Sequence, residues 1–175
     1  DINKKVSNTQ PEQKMEPRIV TSTEKKLVGK RLTMSLSDNK TAELWKGFIS
    51  RHKEIPNKLA SDFISMAIYK PTHFTNFSLS NVFEKWATVE VANFENVPND
   101  MEAFTLAAGL YAVFDYKGPS TDNSIFQYIL GVWLPKSNYV LDNRPHFEVL
   151  GDKYKNAAPD SEEEIWIPIR TKNDR

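Results

Sequence analysis

Two stretches of this sequence carry the same spacing of apolar residues, and that repeat constrains the fold more than any other feature. The first stretch has apolar residues at i, i+1, i+4 and i+5, which predicts one face of a helix: Leu44, Trp45, Phe48 and Ile49. The second stretch carries three doublets with the same period: Ile125/Phe126, Ile129/Leu130 and Trp133/Leu134. Pro56 and Pro135 are expected to end these two helices, because proline disfavours helical geometry in the residue before it.

Side chains that cap helices precede both stripes. They are Asp38, Asn39 and Thr41 before the first stripe, and Ser120, Thr121 and Asp122 before the second. Their oxygens can accept hydrogen bonds from backbone N–H groups that have no partner at a helix start. Both stripes are therefore predicted to be helices rather than buried strands.

Alternating apolar and polar residues around the helices predict strands. Six segments show this alternation: 27–36, 63–69, 85–92, 111–117, 147–150 and 164–170. The order strand, helix, strand, strand therefore occurs twice. Because each helical stripe needs a sheet to cover, we predict an α+β fold in which the duplicated units form one largely antiparallel sheet. Two main helices then flank a groove between the halves.

The composition argues against several classes of function. Lys plus Arg equals Asp plus Glu at 23 each, so the chain lacks the basic excess that drives nucleic-acid binding, and we expect no direct DNA contact. No apolar run approaches the roughly 18 residues of a membrane helix, so no membrane association is expected. The absence of cysteine excludes disulfides, thiolate nucleophiles and Cys-ligated zinc, and is typical of a cytoplasmic protein.

Motifs for other chemistry are also missing from the sequence. The three histidines, His52, His73 and His146, lack the spacing of metal ligands, so we expect neither a metal nor another cofactor. The six glycines form no Gly-x-Ser-x-Gly elbow and no phosphate-binding loop. The acidic run at residues 162–164 is expected to be a solvated face.

A series of short motifs follows a fixed order along the chain. It consists of Val97-Pro98-Asn99-Asp100-Met101, Leu110-Tyr111-Ala112-Val113-Phe114, Gly118-Pro119, Trp133-Leu134-Pro135-Lys136-Ser137-Asn138-Tyr139, Pro145-His146-Phe147-Glu148 and Glu164-Ile165-Trp166-Ile167-Pro168-Ile169. This series resembles the GyrI-like or AraC-type effector-binding domains, including the integron-associated variety, over residues 16–170. That family has a duplicated strand-helix-strand-strand unit, which agrees with the repeat found from periodicity.

Members of the family bind hydrophobic, often cationic or planar small molecules in the groove between their halves. The resemblance therefore implies a small-molecule binding domain that serves drug sequestration or transcription-related effector sensing. Two alternatives stay open. One is a hydrolase of reactive lipophilic, cyclopropane-containing compounds that uses Glu148, and the other is a protein-interaction module such as a gyrase inhibitor. About sixteen residues precede the matching segment, so we expect no helix-turn-helix within this chain.

Glu148 is the principal candidate for ligand recognition. It matches the glutamate that in drug-binding relatives points into the pocket, and on a strand it shares a face with His146 and Leu150. A carboxylate in an aromatic cavity loses hydration, so a lipophilic cation bound beside it restores the lost stabilisation. The alternative is a solvated glutamate or a salt bridge with Arg144 or Lys153.

Further candidates come from the other strands and the helices. Glu90 could be a second pocket acid, although an exposed polar face is an equal alternative. Aromatic side chains supply π faces that stack on planar ligands and attract cations, and the aromatic set comprises Trp45, Tyr69, Trp86, Phe114, Trp133 and Trp166. We expect more than half of them to be core, with Trp45 and Trp133 bordering the groove because they hold comparable positions on the two helices.

The first segment of the chain, residues 1–16, is polar. Ile2, Val6 and Met15 are its only sizeable apolar side chains. So few apolar groups cannot offset the entropy of ordering the segment. The sequence therefore predicts a flexible tail followed by one domain over residues 17–175.

Removal of residues 1–14 is expected to leave the melting temperature nearly unchanged, because a segment with this composition buries little apolar surface. Calorimetric melting of the full and shortened chains checks this. A loss of several degrees in the shortened chain would show that the segment docks on the domain.

Overall fold

The computed structural model describes residues 15–173, and within that range the chain forms nine strands and two helical regions. The strands are β1 (Arg18–Ser22), β2 (Lys25–Met34), β3 (Phe63–Ile68), β4 (Phe83–Val91), β5 (Glu102–Leu106), β6 (Gly109–Lys117), β7 (Tyr139–Leu141), β8 (His146–Leu150) and β9 (Glu162–Thr171). All pairings between these strands are antiparallel. The predicted α+β fold with one largely antiparallel sheet is confirmed.

The first helix, α1, spans Thr41–Ile49 and begins where the cap residues predicted it. The side-chain oxygen of Asn39 accepts a hydrogen bond of 3.0 Å from the first backbone N–H of the helix. Leu44 and Phe48 are buried, and α1 packs on β2 and β4. A short 3₁₀ turn, His52–Glu54, follows.

The second helix has three consecutive parts: α2 (Ser124–Tyr128), a π-helical turn (Ile129–Trp133) and α3 (Leu134–Lys136). The prediction that Pro135 ends this helix is wrong, since the helix continues to Lys136. Pro135 occupies one of the first two positions of α3, directly after the wide π turn. Pro135 has no backbone N–H to donate to the preceding turn, and the wide π turn lies where that helical hydrogen bond would otherwise form.

The sheet closes on itself through two long strands. Its order is β1-β6-β9-β8-β3-β4-β2-β5, with β7 paired to β9, and only two residues separate β1 from β2 and β5 from β6. At the end of β1, Ser22 lies opposite Gly109. At the start of β2, Lys25 lies opposite Leu106, so the register is unchanged across the break. The chain from Arg18 to Gly29 thus runs antiparallel to the chain from Glu102 to Val113, and the two ends of the sheet meet.

The structure adds a first strand to each half, β1 and β5, so the repeated unit is strand, strand, helix, strand, strand; the second half also contains the short β7, which the periodicity did not predict. The first strand of each half pairs with the second strand of the other half, β1 with β6 and β5 with β2. Only the last residue of each added strand is buried, Ser22 in β1 and Leu106 in β5. Neither strand therefore shows the alternation from which a strand can be predicted, and β7, with three residues, is too short for it.

The hydrophobic core is divided into three clusters. One, around Phe48, lies between α1 and the strands of the first half. Another, around Ile129, lies between the second helix and β6 and β9. The third, around Met66, fills the face of the sheet turned away from both helices. Met15 also packs against the second cluster, so described contacts begin two residues before the predicted domain start, while residues 1–14 of the predicted tail lie outside the described residues.

The two halves repeat one more motif on the face turned away from the helices. The indole N–H of Trp86 in β4 donates a hydrogen bond to Glu84, and that of Trp166 in β9 donates one of 3.3 Å to Glu164. Each glutamate also forms an ion pair with an arginine. The Glu-x-Trp motif thus makes the same indole hydrogen bond in both halves, while its arginine comes from the adjacent strand β2 in one half and from β1, beyond β6, in the other.

Gly29 lies where β2 is paired on both sides, opposite Thr88 in β4 and Glu102 in β5. A Cβ atom at this position would overlap the backbone carbonyl of Ala87. The close approach of these backbones therefore requires a residue without a side chain.

We expect Gly29→Ala to lower the free energy of unfolding by at least about 1–3 kcal/mol, because the overlapping atoms belong to backbone that cannot move aside without breaking ladder hydrogen bonds. Denaturant unfolding measures the loss. Gly131→Ala is the matched control, since a Cβ at Gly131 in the π turn meets nothing within 4 Å. Equal unfolding midpoints for the two variants would contradict this account of the sheet.

Candidate ligand-binding site

The centre of the sheet separates the two helix-covered halves. There β3 pairs with β8, and beyond the Phe63–Leu150 pair the side chains that face the helices are small or polar: Ser65 opposite Glu148, and Ala67 opposite His146. We call these four residues the groove floor. Because β3 and β8 lie between the cluster under α1 and the cluster under the second helix, a side chain on the groove floor is flanked by apolar surface on both sides.

Glu148 is half-buried in the middle of β8, between Ser65 of β3 and Ile165 of β9. Tyr69, directly after β3, lies close enough to respond to its charge. Burial in the first place, and then the negative charge of Glu148, raise the pKa of the Tyr69 hydroxyl. The structure thus brings together two of the residues that the sequence singled out.

A second carboxyl, Glu163, joins Glu148 at this site. It stands two residues before Ile165 on the same face of β9, so it is a diagonal neighbour of Glu148. Its atom Oε2 is buried and has no hydrogen-bond partner. Burial raises the pKa of Glu163 to about 8, aided by the neighbouring Glu148 carboxyl, and Lys85 acts in the opposite direction.

The sequence-based expectation that residues 162–164 form a solvated face is wrong for Glu163. The side chains of Glu162 and Glu164 do form exposed ion pairs, with Lys153 and Arg18. Glu163 instead continues the buried alternation of Ile165, Ile167 and Ile169 by one step. That alternation was visible in the sequence, but it could not show which carboxylate lies next to a second acid on another strand.

Aromatic side chains from the loop between β3 and β4 cover one end of the groove floor. The Tyr69 ring packs against His73 at 4.5 Å, Phe74 at 4.9 Å and His146 at 4.9 Å between ring centroids. Phe74 also contacts His146 at 5.6 Å. The His73 side chain is buried, and its Nδ1 has no hydrogen-bond partner. This loop therefore closes the polar floor with π surfaces.

The two imidazoles carry no charge at neutral pH. Burial lowers the pKa of His146 to about 3, with smaller effects from His73 and the Arg144 cation. Burial also lowers the pKa of His73. The groove floor therefore has carboxyl groups and no histidine cation, which gives it an acidic character. Within residues 15–173, no three His, Asp or Glu side chains are grouped in a way that could hold a metal ion.

Trp45 and Trp133 lie on the two helices, as predicted, and both are half-buried. Trp45 packs edge-on against Phe63, the first residue of β3, at 5.9 Å. Trp133 packs edge-on against Phe114 at 5.3 Å and lies parallel to Tyr139. Phe114 itself is completely buried, so its ring belongs to the core under the second helix.

Trp86 and Glu90 lie on the other face of the sheet, away from Glu148. Trp86 is buried in the cluster around Met66. The Glu90 carboxylate forms an ion pair of 3.3 Å with Lys25. The structure therefore does not bring these two candidates together with the groove floor.

Comparison with known proteins agrees with this architecture. Residues 18–169 match the family model of integron-associated effector-binding proteins, Cass2. No curated protein sequence matches the chain. Among residues 15–173, no helix has both the length and the apolar character needed to cross a membrane.

Solved structures share the fold at low sequence identity. SAV2435 bound to tetraphenylphosphonium has a TM-score of 0.65 and 18% identity, over 89% of this chain and 94% of that one. The C-terminal domain of EcmrR has a TM-score of 0.66 and 15% identity, over 90% and 98% of the two chains. An integron cassette protein from the mobile metagenome of Vibrio cholerae has a TM-score of 0.57 and 15% identity, over 89% and 96%.

The closed sheet of two repeated units with one helix on each half is the fold that the chain shares with these structures. With the family model matched over 18–169, the chain belongs to the integron-associated effector-binding proteins.

The carboxyl of Glu163 makes stability depend on pH in a defined direction. In the folded chain the Glu163 carboxyl stays protonated until the pH reaches about 8. In the unfolded chain it loses its proton near the ordinary pKa of 4.5. Its contribution to stability is therefore complete below pH 4.5 and is lost as the pH rises through about 8.

We expect Glu163→Gln to flatten this decline, because the amide keeps the shape of the side chain and does not titrate. Denaturant unfolding at several pH values between about 5 and 9 measures the slope. Glu162→Gln is the matched control, since Glu162 is a neighbouring exposed carboxylate paired with Lys153. The same slope in the wild type and in Glu163→Gln would show that the Glu163 carboxyl is not held as an acid.

Proposed function

We propose that this domain binds a lipophilic organic cation on the groove floor, with Glu148 supplying the opposite charge and Tyr69 an aromatic wall. One observation carries the proposal. Two carboxyls, Glu148 and Glu163, lie in a half-buried position between two hydrophobic clusters and beside the neutral ring of His146.

The physical chemistry of such a site favours cations over neutral molecules. A half-buried carboxylate has lost part of its hydration, and its Coulomb interaction with a cation is less screened than in bulk water. Tyr69 and Phe74 present π faces, which also attract cations. A neutral ligand of the same shape gains apolar contact only, so the carboxylate gives the site its selectivity.

Two of the similar structures support this proposal. SAV2435 shares the fold and was solved with tetraphenylphosphonium, a lipophilic cation. EcmrR, whose C-terminal domain shares the fold, forms a complex with DNA. We propose by analogy that this chain senses or sequesters a cationic effector. Its balanced charge supports a role without direct DNA contact, and its lack of cysteine supports a role in the cytoplasm.

Trp45 and Trp133 are proposed to border the ligand from the two helices, because both are half-buried and stand on opposite sides of the central strands. Trp86, Phe114 and Glu90 are left out of the proposed site. Two of them lie on the other face of the sheet, and Phe114 is enclosed in the core.

Glu148→Gln is expected to weaken binding of tetraphenylphosphonium by about 10- to 150-fold, since a hydrogen bond or contact to a charged group contributes about 1.5–3 kcal/mol. Binding of triphenylphosphine oxide, which is neutral and similar in shape, should change little. Isothermal titration calorimetry measures both ligands. Glu90→Gln is the matched control, because it removes a carboxylate from the opposite face of β4.

Two results would contradict the proposal. Equal weakening of the cationic and the neutral ligand would mean that Glu148 supports the shape of the pocket rather than its charge. Unchanged binding of both would place the ligand elsewhere. The hydrolase alternative predicts a different result: turnover of a cyclopropane-containing alkylating agent by the wild type that is lost in Glu148→Gln, because an amide cannot exchange the proton.

A further inference from the structure

Glu163 has no role in the binding proposal beyond its position next to Glu148. We propose that the Glu148 and Glu163 carboxyls share one proton when no ligand is bound, and that an organic cation enters the groove in exchange for that proton. This inference rests on the proposed function, and it adds Glu163 as the residue that couples ligand affinity to pH.

The strand register makes the Glu148 and Glu163 side chains neighbours. Glu148 lies opposite Ile165, and Glu163 is the next residue on the same face of β9, so the two side chains start as diagonal neighbours. Diagonal positions on adjacent strands lie about 7–8 Å apart at Cα, which long side chains can bridge. Two half-buried carboxylates at that separation repel each other, and one shared proton removes the repulsion.

Burial of the Glu163 carboxyl favours its protonated form. Its Oε2 is excluded from solvent and has no hydrogen-bond partner among residues 15–173. An ionised oxygen without water or a donor is strongly destabilised, whereas a protonated carboxyl tolerates that position. His73 lies near the other end of the groove floor, where it packs against Tyr69, and its buried Nδ1 also has no hydrogen-bond partner. The site thus contains two buried polar atoms without a hydrogen bond, Oε2 of Glu163 and Nδ1 of His73.

The remaining titratable groups around Glu163 do not neutralise it. Tyr116 of β6 and Tyr154 of the loop before β9 face it, and the pKa of each hydroxyl is raised, mainly by burial. Lys85 of β4 acts on Glu163 from across the floor. Within residues 15–173, however, Lys85 forms no ion pair closer than 4.0 Å. No lysine or arginine within residues 15–173 forms an ion pair with Glu163 that would take the place of the shared proton.

The exchange is balanced in charge. A monovalent organic cation takes the place of the shared proton, the O–H bond of the carboxyl breaks, and the proton passes to water. The net charge of the site is the same before and after. The cation needs no N–H donor, so phosphonium and quaternary ammonium ions fit this chemistry as well as amines do.

Proton exchange has a measurable consequence for affinity. While the unliganded site holds its proton, affinity for the cation should rise by up to about tenfold per pH unit, and it should become constant above the pKa of the unliganded pair. A neutral ligand should bind with the same affinity at every pH.

Calorimetric titration with tetraphenylphosphonium in two buffers of different ionisation enthalpy counts the protons released per ligand bound. We expect about one proton near pH 7 and about none near pH 9.5. In Glu163→Gln, release should disappear, and affinity should no longer depend on pH. Glu162→Gln, which removes a solvated carboxylate one residue away, should behave as the wild type does.

Each outcome has one meaning. If the wild type binds tetraphenylphosphonium without releasing a proton near pH 7, the exchange is overturned and the binding proposal stands. Proton release that persists in Glu163→Gln would overturn the role of Glu163. If tetraphenylphosphonium does not bind at any pH, both proposals fail. The wild-type proton count decides the exchange even if Glu163→Gln does not fold.

Discussion

The rest of the structure depends on one continuous antiparallel ladder, formed by β1–β2 and β5–β6. Because its register is the same on both sides of the break, the first strand of each half completes the sheet of the other half. The two halves therefore cannot separate without breaking the ladder. Gly29, the last residue of β2 paired in this ladder, is a glycine because a Cβ there would overlap the backbone of Ala87 in the neighbouring β4.

The place where the sheet closes determines which strands form its centre. Because the β1–β2 and β5–β6 ladder joins β2 to β6, the strands β3 and β8 become the central pair of the sheet. Each helix covers the strands of its own half. The central pair has no helix of its own. Polar side chains can therefore occupy its helix-facing side, while the flanking clusters limit their hydration. The acidic groove floor is thus a consequence of the sheet order.

Local patterns predicted the elements that have a buried face of their own. The stripes of both helices and the alternation of β3, β4, β6 and β8 are signals within a few residues, and the structure contains these elements. Of the cap candidates, Asn39 and Asp122 accept a hydrogen bond from the first N–H of a helix. Elements stabilised by pairing with a distant strand lack such a signal. β1 and β5 expose most of their side chains, and the π turn that accommodates Pro135 depends on packing of the second helix.

By itself, the sequence determined that this chain forms two repeated α+β units and that Glu148 shares a strand face with His146. Those facts depend on the spacing of residues along one element. Only the tertiary structure decided which side chains from different strands share the groove floor. It placed Glu163 beside Glu148 and put Trp86 and Glu90 on the opposite face. Contacts between strands depend on register and sheet order, which pairings distant in the sequence set.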